Sequence, residues 1–575
     1  MKSSEDLEQI WRRLMEQYVV EQDHSRSDYF GLIKELLALR DRFGDEVSPR
    51  IESVYRLVLD EIVTSTAPPR SPISFGTSGW RGQLGKDITV ASVRCVTEAI
   101  IAMYRRLDED NSLAPHLGVD SYADACRHGC LVGYDNRFAG ETLGRAVADA
   151  LMAHGFNVYF CGETTTGVLS ATLLRLQAAF SVNLTPSHNP LEYGGYKYNA
   201  ADGGPAAAEL TRLITSNARE LVSRPTSETA EASTPRGACQ SIDSLSLWQQ
   251  LVDSQAAVHR IEYRKLLDRA AAHDNLVIAV DAVHGASRLH IERLLGPAAN
   301  HLQLLRGTAD VTFGGIAPEP SSANLQTVNG VLADNSARLK IGAIIDPDGD
   351  RIRFTDGTTE IGMNQFGALA YFFLHEQKGL SGMVAKTVAT SNLVNAVARG
   401  LGEQVFETRV GFKEFKSVIG KALVCFEESD GISIIGHTPE KDAYIGLLLA
   451  LDMVLESGRN LGEMLRELEA RYGAFYPDRD SVAVSRSGAE LDRTLAELAR
   501  YRVGGSVVVG DEEKTIREVI DIDGRKIIFE DDSWLMIRPS GTEPKVRFYV
   551  ESRTPDGAGF LVATARRMLD ELGLL

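Results

Sequence analysis

Near the amino terminus, apolar residues recur at the spacing of one helical face. Leu7, Ile10, Trp11, Leu14 and Tyr18 form a first stripe, Leu32, Leu36, Leu37 and Leu39 a second, and Ile51, Val54, Tyr55, Leu57 and Val58 a third. Residues 4–64 therefore read as helices. The run Thr64-Ser65-Thr66-Ala67-Pro68-Pro69-Arg70-Ser71-Pro72 breaks the pattern and reads as a linker. Nothing in this extension suggests catalysis. Its stripes suit either docking on the rest of the chain or self-association.

From about residue 73 the pattern changes to short apolar runs, polar turns and helices in repetition. Leu131–Tyr134 reads as a strand, 142–154 as a helix and Asn157–Phe160 as the next strand; Val277–Asp281 and Ile341–Asp346 follow the same scheme. Apolar runs that end in Asp and alternate with helices predict parallel sheets in α/β domains, with ligands at the carboxyl ends of the strands. Residues 224–242 are small and polar and read as a linker, and a second break falls near Arg471-Tyr472-Gly473. The last hundred residues read as α+β, with strands near Ser506–Gly510, Lys526–Glu530, Trp534–Arg538 and Val546–Val550.

Length and charge narrow the function. At roughly 150 residues per domain, 575 residues predict about four domains. The 61 Lys and Arg against 79 Asp and Glu leave a net charge of −18, which disfavours nucleic acid and anionic membranes as partners. An anionic substrate then requires locally concentrated positive charge. Six cysteines in such a length do not make a disulfide framework, the start Met1–Asp6 lacks a signal-peptide core, and the longest apolar run, Ile445–Leu451, is too short to span a bilayer. These features predict a soluble, cytoplasmic protein. Cys126-Arg127-His128-Gly129-Cys130 has no second Cys/His pair to complete a zinc site.

Four loops carry candidate chemistry. In Thr185-Pro186-Ser187-His188-Asn189-Pro190 a serine lies between two prolines on a stiff turn; His188 beside it and Lys197 downstream offer proton transfer or a cation for phosphate. In Asp346-Pro347-Asp348-Gly349-Asp350-Arg351 alternate carboxylates can converge on one hard cation, and magnesium suits such ligands. An EF-hand fails there, because Arg351 and Gly357 fall where Gly and Glu are required. A haloacid-dehalogenase type of phosphatase competes, with Asp346 as nucleophile and Asp348 as acid/base, although it wants Thr or Val where Asp350 stands. Arg538-Pro539-Ser540-Gly541-Thr542-Glu543-Pro544 assembles an arginine, two hydroxyls and a flexible backbone into a phosphate cradle. Phe426-Glu427-Glu428-Ser429-Asp430-Gly431 offers carboxylates and a hydroxyl to vicinal sugar hydroxyls. No Gly-x-x-x-x-Gly-Lys-Ser/Thr loop is present, which disfavours an ATP-dependent kinase.

In this order the four loops resemble those of the α-D-phosphohexomutase superfamily, the phosphoglucomutases and phosphomannomutases. Phe75-Gly76-Thr77-Ser78-Gly79-Trp80-Arg81-Gly82, Asp281-Ala282-Val283-His284-Gly285 and Thr408-Arg409-Val410-Gly411-Phe412-Lys413 add to the likeness, which runs from about residue 73 to 553. The resemblance implies a four-domain, heart-shaped architecture: three α/β domains with mixed or parallel sheets and a C-terminal α+β domain, preceded here by the helical extension. The expected units are 1–72 for the extension, 73–243 for the phosphoserine loop, 244–360 for the metal loop, 361–473 for the sugar loop and 474–575 for the phosphate loop. The resemblance also implies that Ser187 carries a phosphoryl group and binds Mg2+ with Asp346, Asp348 and Asp350. Lys197 or His188 would move the proton, and Arg81 and Arg351 would neutralise charge. Lys413, Glu427, Ser429, Arg538, Ser540, Gly541 and Thr542 would bind a hexose phosphate, with glucose 1,6-bisphosphate as intermediate and activator.

Departures from the pattern bear on the sugar. Pro186 stands where many members have Ala, and with Gly203-Gly204-Pro205 this form looks more like the glucose-preferring branch. The sugar loop usually reads Gly-Glu-x-Ser-Gly-His, but here Phe426 opens it, Asp430 follows the serine and the His is missing. Thr164-Thr165-Thr166 lacks a proline often seen there. The expected activity is phosphoglucomutase, with mannose phosphates as further substrates. The alternatives are a phosphomannomutase, a phosphopentomutase, a sugar-bisphosphate synthase and a catalytically silent sugar-phosphate binder.

Overall fold

A computed structural model describes residues 2–76, 79–223, 236–540 and 545–575. Four sheets follow one another along the chain. The first has six strands in the order Trp80–Gln83, Tyr193–Ala200, Phe180–Leu184, Cys130–Tyr134, Val158–Glu163 and Cys239–Ser241. Its centre is parallel, and Tyr193–Ala200 runs antiparallel beside Phe180–Leu184, which sets Lys197 directly opposite Asn183. The stretch around Lys197, to which the sequence pattern assigns no element, is a strand, buried over most of its length, which fixes the lysine's position. Cys239–Ser241, at the end of the expected 224–242 linker, is an edge strand. Residues 224–235 of that linker lie outside the described residues.

The second sheet orders Glu360–Ile361, Ile352–Thr355, Leu339–Ile345, Leu276–Asp281 and Leu302–Leu305, and the third Val405–Thr408, Val384–Thr387, Val424–Glu427 and Gly431–Ile434. Leu276–Asp281 and Leu339–Ile345 are buried almost throughout, as parallel strands covered on both faces must be. These two units share one apolar core, in which the rings of Phe354 and Phe366 stack with centroids 4.2 Å apart. The fourth sheet is antiparallel, in the order Tyr476–Ala483, Lys545–Ser552, Trp534–Pro539, Arg525–Phe529, Glu512–Ile520 and Ser506–Val509. Tyr476–Ala483 and Glu512–Ile520 escape the apolar pattern because polar residues dominate both. The fourth unit has its own core and touches the third through Val388 and Ala389 against Trp534, Met536 and Tyr549. No helix among the described residues is long and apolar enough to cross a membrane.

The N-terminal helices, Lys2–Tyr18, Tyr29–Ala38 and Ser48–Thr64, dock on the first unit. Leu32, Ile33, Leu36, Val54, Val58 and Ile62 are fully buried in the same cluster as Ile88, Val93 and Val96. Their stripes thus pack against their own chain, with Ile10, Trp11, Tyr18, Leu37, Leu39 and Leu57 half-buried at the margin. A buried ion pair reinforces the seam: Lys86 donates to Glu61 and to the His24 carbonyl. Removing one partner leaves the other charge buried and uncompensated, which costs about 3–5 kcal/mol. Glu61→Ala should therefore destabilise the protein by about 3 kcal/mol in chemical denaturation, and a Glu61→Met/Lys86→Met double variant should recover most of the loss. An unchanged midpoint in the single variant would show that the pair carries no weight at this seam.

Candidate active site

The loop bearing Ser187 leaves the fully buried strand Phe180–Leu184. Thr185 donates its hydroxyl to Asp135 Oδ2 at 2.6 Å and accepts the Ser187 N–H at 2.8 Å, so two short bonds fix the start of the turn. Ser187 sits at φ +58°, a left-handed conformation that is costly for a residue with a Cβ. Gly195 makes room for the turn: a Cβ there would lie 2.3 Å from the Thr185 carbonyl oxygen. With its backbone so constrained, Ser187 donates Oγ–H to Asp346 Oδ2 at 2.9 Å and lies 3.3 Å from His188 Nδ1.

Asp346 follows the strand Leu339–Ile345, and its Oδ1 accepts the N–H groups of Asp350 and Arg351 at 3.1 and 3.0 Å. Gly349, at φ +65°, closes the turn against Thr165, where a Cβ would meet the threonine methyl at 2.5 Å. One oxygen from each of Asp346, Asp348 and Asp350 lies within 4.8 Å of the others, and all three residues are buried. Burial, and then the charges of Asp348 and Asp350, hold the Asp346 carboxyl well above the usual carboxylate range. Asp348 Oδ1 and Asp350 Oδ1 are buried without a hydrogen-bond partner. Orphaned, converging carboxylate oxygens are the donor set of a hard divalent cation, so the residues fit magnesium.

Lys197 partly offsets this charge, at 2.5 Å from Asp348 Oδ2 and 2.8 Å from Asp350 Oδ2. Burial works against its ammonium group, but Asp348, Asp350 and Glu440 outweigh it and keep Lys197 above the ordinary lysine range. His188 is driven the other way, held neutral by Arg351, burial and Arg81. Arg351 lies 3.7 Å from Asp350, and Arg81 donates to Asn189 Oδ1 at 2.9 Å within the serine loop. Ser187, His188, Lys197, Arg81, Arg351 and the three aspartates therefore form one connected cluster.

The sugar loop adjoins it. The Ile352 N–H donates to the Asp430 carbonyl at 2.9 Å, and Arg351 and Gly431 form a backbone bridge. Glu427 ends a buried strand; burial raises its carboxyl against the pull of Lys441, and the Ser429 hydroxyl lies beside it. Glu428 instead accepts from Thr387 and Thr390 at 2.9 and 3.2 Å. Asp430 takes a structural part: at φ +69° it receives Arg353 Nη2 at 2.7 Å and Nε at 3.3 Å, tying the second unit to the third. The departure at Asp430 thus belongs to the inter-unit seam.

Lys413, Arg538 and Ser540 make no hydrogen bond or ion pair to the central cluster among the described residues. Arg538 pairs with Asp523 at 3.1 Å, and Asp523 also accepts the Val410 N–H at 3.0 Å, so the fourth unit is latched to the loop that carries Lys413. The Ser540 N–H closes on the Lys545 carbonyl at 2.8 Å. Gly541 and Thr542 lie outside the described residues, as do Thr77 and Ser78.

Three participants escape sequence reasoning. Thr166 donates to Asp348 Oδ2 at 2.7 Å and accepts from Asn183 at 3.0 Å, and Lys441 lies 3.5 Å from Asp350. A run of three threonines and an apolar strand interrupted by Asn were the available signals. Neither carries a spacing that points to a distant carboxylate.

Comparison with known proteins completes the picture. Models of phosphoglucomutase/phosphomannomutase α/β/α domains I, II and III and of the C-terminal domain match residues 72–224, 258–359, 363–472 and 482–565 in order. A probable phosphoglucosamine mutase of Methanothermobacter thermautotrophicus is 27% identical over 88% of this chain and 99% of its own length. A phosphoglucomutase of Rhizobium radiobacter is 26% identical over 76% of this chain and 86% of its own. The crystal structure of a phosphoglucomutase/phosphomannomutase family protein from Burkholderia thailandensis superposes with a TM-score of 0.66 at 19% identity, covering 86% of this chain and 97% of that one, a likeness of fold. Asp348→Asn should weaken Mg2+ binding by at least about 10-fold in calorimetric titration. An unchanged affinity would remove Asp348 from the metal site.

Proposed function

Because the chain belongs to the α-D-phosphohexomutase superfamily, with four phosphoglucomutase/phosphomannomutase domains in order along it, we propose that it interconverts glucose 1-phosphate and glucose 6-phosphate through a phosphoserine at Ser187 and glucose 1,6-bisphosphate. One observation carries this reading: the Ser187 hydroxyl, on a constrained turn, lies 2.9 Å from the first of three buried, converging aspartates. The Thr-Pro-Ser-His-Asn-Pro form of the loop, similar to the glucose-preferring branch, supports glucose.

In the first transfer the 6-hydroxyl of glucose 1-phosphate attacks the phosphoryl group on Ser187. The Oγ–P bond breaks, an O6–P bond forms, and the O6 proton passes by way of His188 to the leaving Oγ; Lys197, an ammonium paired with Asp348 and Asp350, has no lone pair to accept it. The bisphosphate then turns round in the cleft. Its 1-phosphoryl group returns to Ser187: the O1–P bond breaks, the Oγ–P bond re-forms, and the Oγ proton passes by way of His188 to O1. Arg81 and Arg351 offer fixed positive charge beside the serine, which phosphoryl transfer needs more than covalent assistance. Ser187, Asp346, Asp348 and Asp350 would hold magnesium, which when bound neutralises charge on the phosphoryl oxygens. Glu427 and Ser429 are assigned to the sugar hydroxyls. Lys413, Arg538 and Ser540, with Gly541 and Thr542, are assigned to the phosphate that does not react. Six free cysteines suit a reducing cytoplasm.

Several relatives carry the name phosphoglucosamine mutase and others phosphoglucomutase, which supports a second reading in which glucosamine 1-phosphate is the preferred substrate. Phosphorus NMR with Mg2+ and a trace of glucose 1,6-bisphosphate should show glucose 1-phosphate converting to the 6-phosphate at constant total sugar phosphate. Parallel runs with the 1-phosphates of glucosamine, mannose and ribose rank the substrates. Release of inorganic phosphate instead would move the nucleophile to Asp346. Ser187→Ala should lose about 1,000-fold or more of the activity with its fold intact, and near-normal turnover in that variant would end the phosphoserine mechanism.

A further inference from the structure

The segment Asp135-Asn136-Arg137-Phe138 lies behind the serine loop, outside the four loops already described. It follows the strand Cys130–Tyr134, and its central side chain, Arg137, is buried. Arg137 Nη2 donates to the Ser187 carbonyl at 2.7 Å and to the Asn189 carbonyl, while Nη1 donates to the Pro190 carbonyl. A buried guanidinium thus collects three main-chain carbonyls of the turn that presents Ser187. Pro186 and Pro190 have no N–H to donate, so local backbone bonds cannot organise this turn by themselves. The turn also holds Ser187 at a positive φ, which persists only if the surroundings over-determine it.

Arg137 is itself held from every side. Its backbone N–H donates to Asp135 Oδ1 at 3.0 Å, and its side chain lies 3.8 Å from Asp135 Oδ2, the oxygen that accepts from Thr185 at the start of the same turn. The guanidinium sits over the Phe313 ring of the second unit, 4.6 Å from its centroid. On either side, Asn136 donates to the His284 carbonyl, and the Phe138 ring packs 4.4 Å from that of Tyr55 in the N-terminal extension. The extension, the first unit and the second unit therefore meet at this segment.

We propose that Arg137 is the positioning residue of the serine loop: its three-carbonyl grip sets the backbone that aims Ser187 Oγ at the metal-loop carboxylates. The proposal rests on Ser187 being the group that reacts. A lysine cannot replace the planar fork, because a single ammonium nitrogen cannot reach three carbonyls spread along a turn. A loss of alignment of about 1 Å at a reacting atom is worth about 100-fold in rate. Among the described residues Arg137 makes no hydrogen bond or ion pair with the three aspartates or with the loops assigned to the substrate, so its loss acts first on the reacting step.

The test compares full-length wild type with Arg137→Lys and Arg137→Ala. For Arg137→Lys we expect kcat on the best hexose 1-phosphate to fall about 100-fold, with KM within about threefold. Added guanidinium should restore part of the kcat of Arg137→Ala. Hydrogen exchange supplies a readout independent of substrate: the amides of Thr185, Ser187, His188 and Asn189 should exchange faster in Arg137→Lys, while the rest of the first unit is unchanged. Turnover per folded molecule within threefold of wild type, even with a lowered melting temperature, would reduce Arg137 to a structural residue and overturn the proposal, as would unchanged exchange at those amides. If the wild type turns over no sugar phosphate, the proposed reaction fails. The exchange experiment alone then decides whether Arg137 organises the loop.

Discussion

Three carboxylates crowded into a buried space at the end of a parallel strand are the constraint around which the molecule is arranged. Asp346, Asp348 and Asp350 repel one another and lie out of reach of water. Positive charge is brought to them from separate parts of the chain: Lys197 from the first sheet, Lys441 from the segment before a helix of the third unit, and Arg351 from their own loop. Asp348 Oδ1 and Asp350 Oδ1 still lack a hydrogen-bond partner, and that residual acceptor capacity suits a divalent cation.

The same crowding explains how the units are tied. Each seam near the cluster uses a charged or polar side chain of one unit and the backbone or carboxylate of the next. Thr166 reaches across to Asp348, Arg353 crosses to Asp430, and Asn136 crosses to the His284 carbonyl. Farther out, Asp523 joins Arg538 to the Val410 N–H and so couples the fourth unit to the loop bearing Lys413. The second and third units share a core, whereas the fourth has its own and meets the third through a small apolar patch. Buried polar contacts add to that patch: Lys526 donates to the Val388 carbonyl at 2.8 Å, and Glu551 accepts the Asn392 N–H at 2.9 Å.

The sugar loop shows how a deviation from a family pattern is resolved by packing. Asp430 reads in the sequence as an extra acid beside the sugar-binding residues, yet its carboxylate is committed to Arg353 and its backbone to Ile352. Glu428 is committed to two threonines. Glu427 stays electrostatically coupled to the reactive cluster through Lys441 and Arg351, and Asp430 also acts on Arg351.

Local chemistry was legible without a structure. Proline on either side of Ser187, alternate aspartates from 346 to 350 and the apolar runs before them restrict the backbone within a few residues, and such restrictions are written in residue type. The helical stripes of the extension were legible for the same reason. Tertiary structure alone decided what those features meet. It packed the stripes against the first unit's core, turned the segment around Lys197 into a strand facing Asn183, and placed Arg137, Thr166 and Lys441 against loops up to 182 residues away. A side chain's charge and hydrogen-bonding capacity belong to its type, but its partner depends on how separate strands are brought together. No local spacing records that.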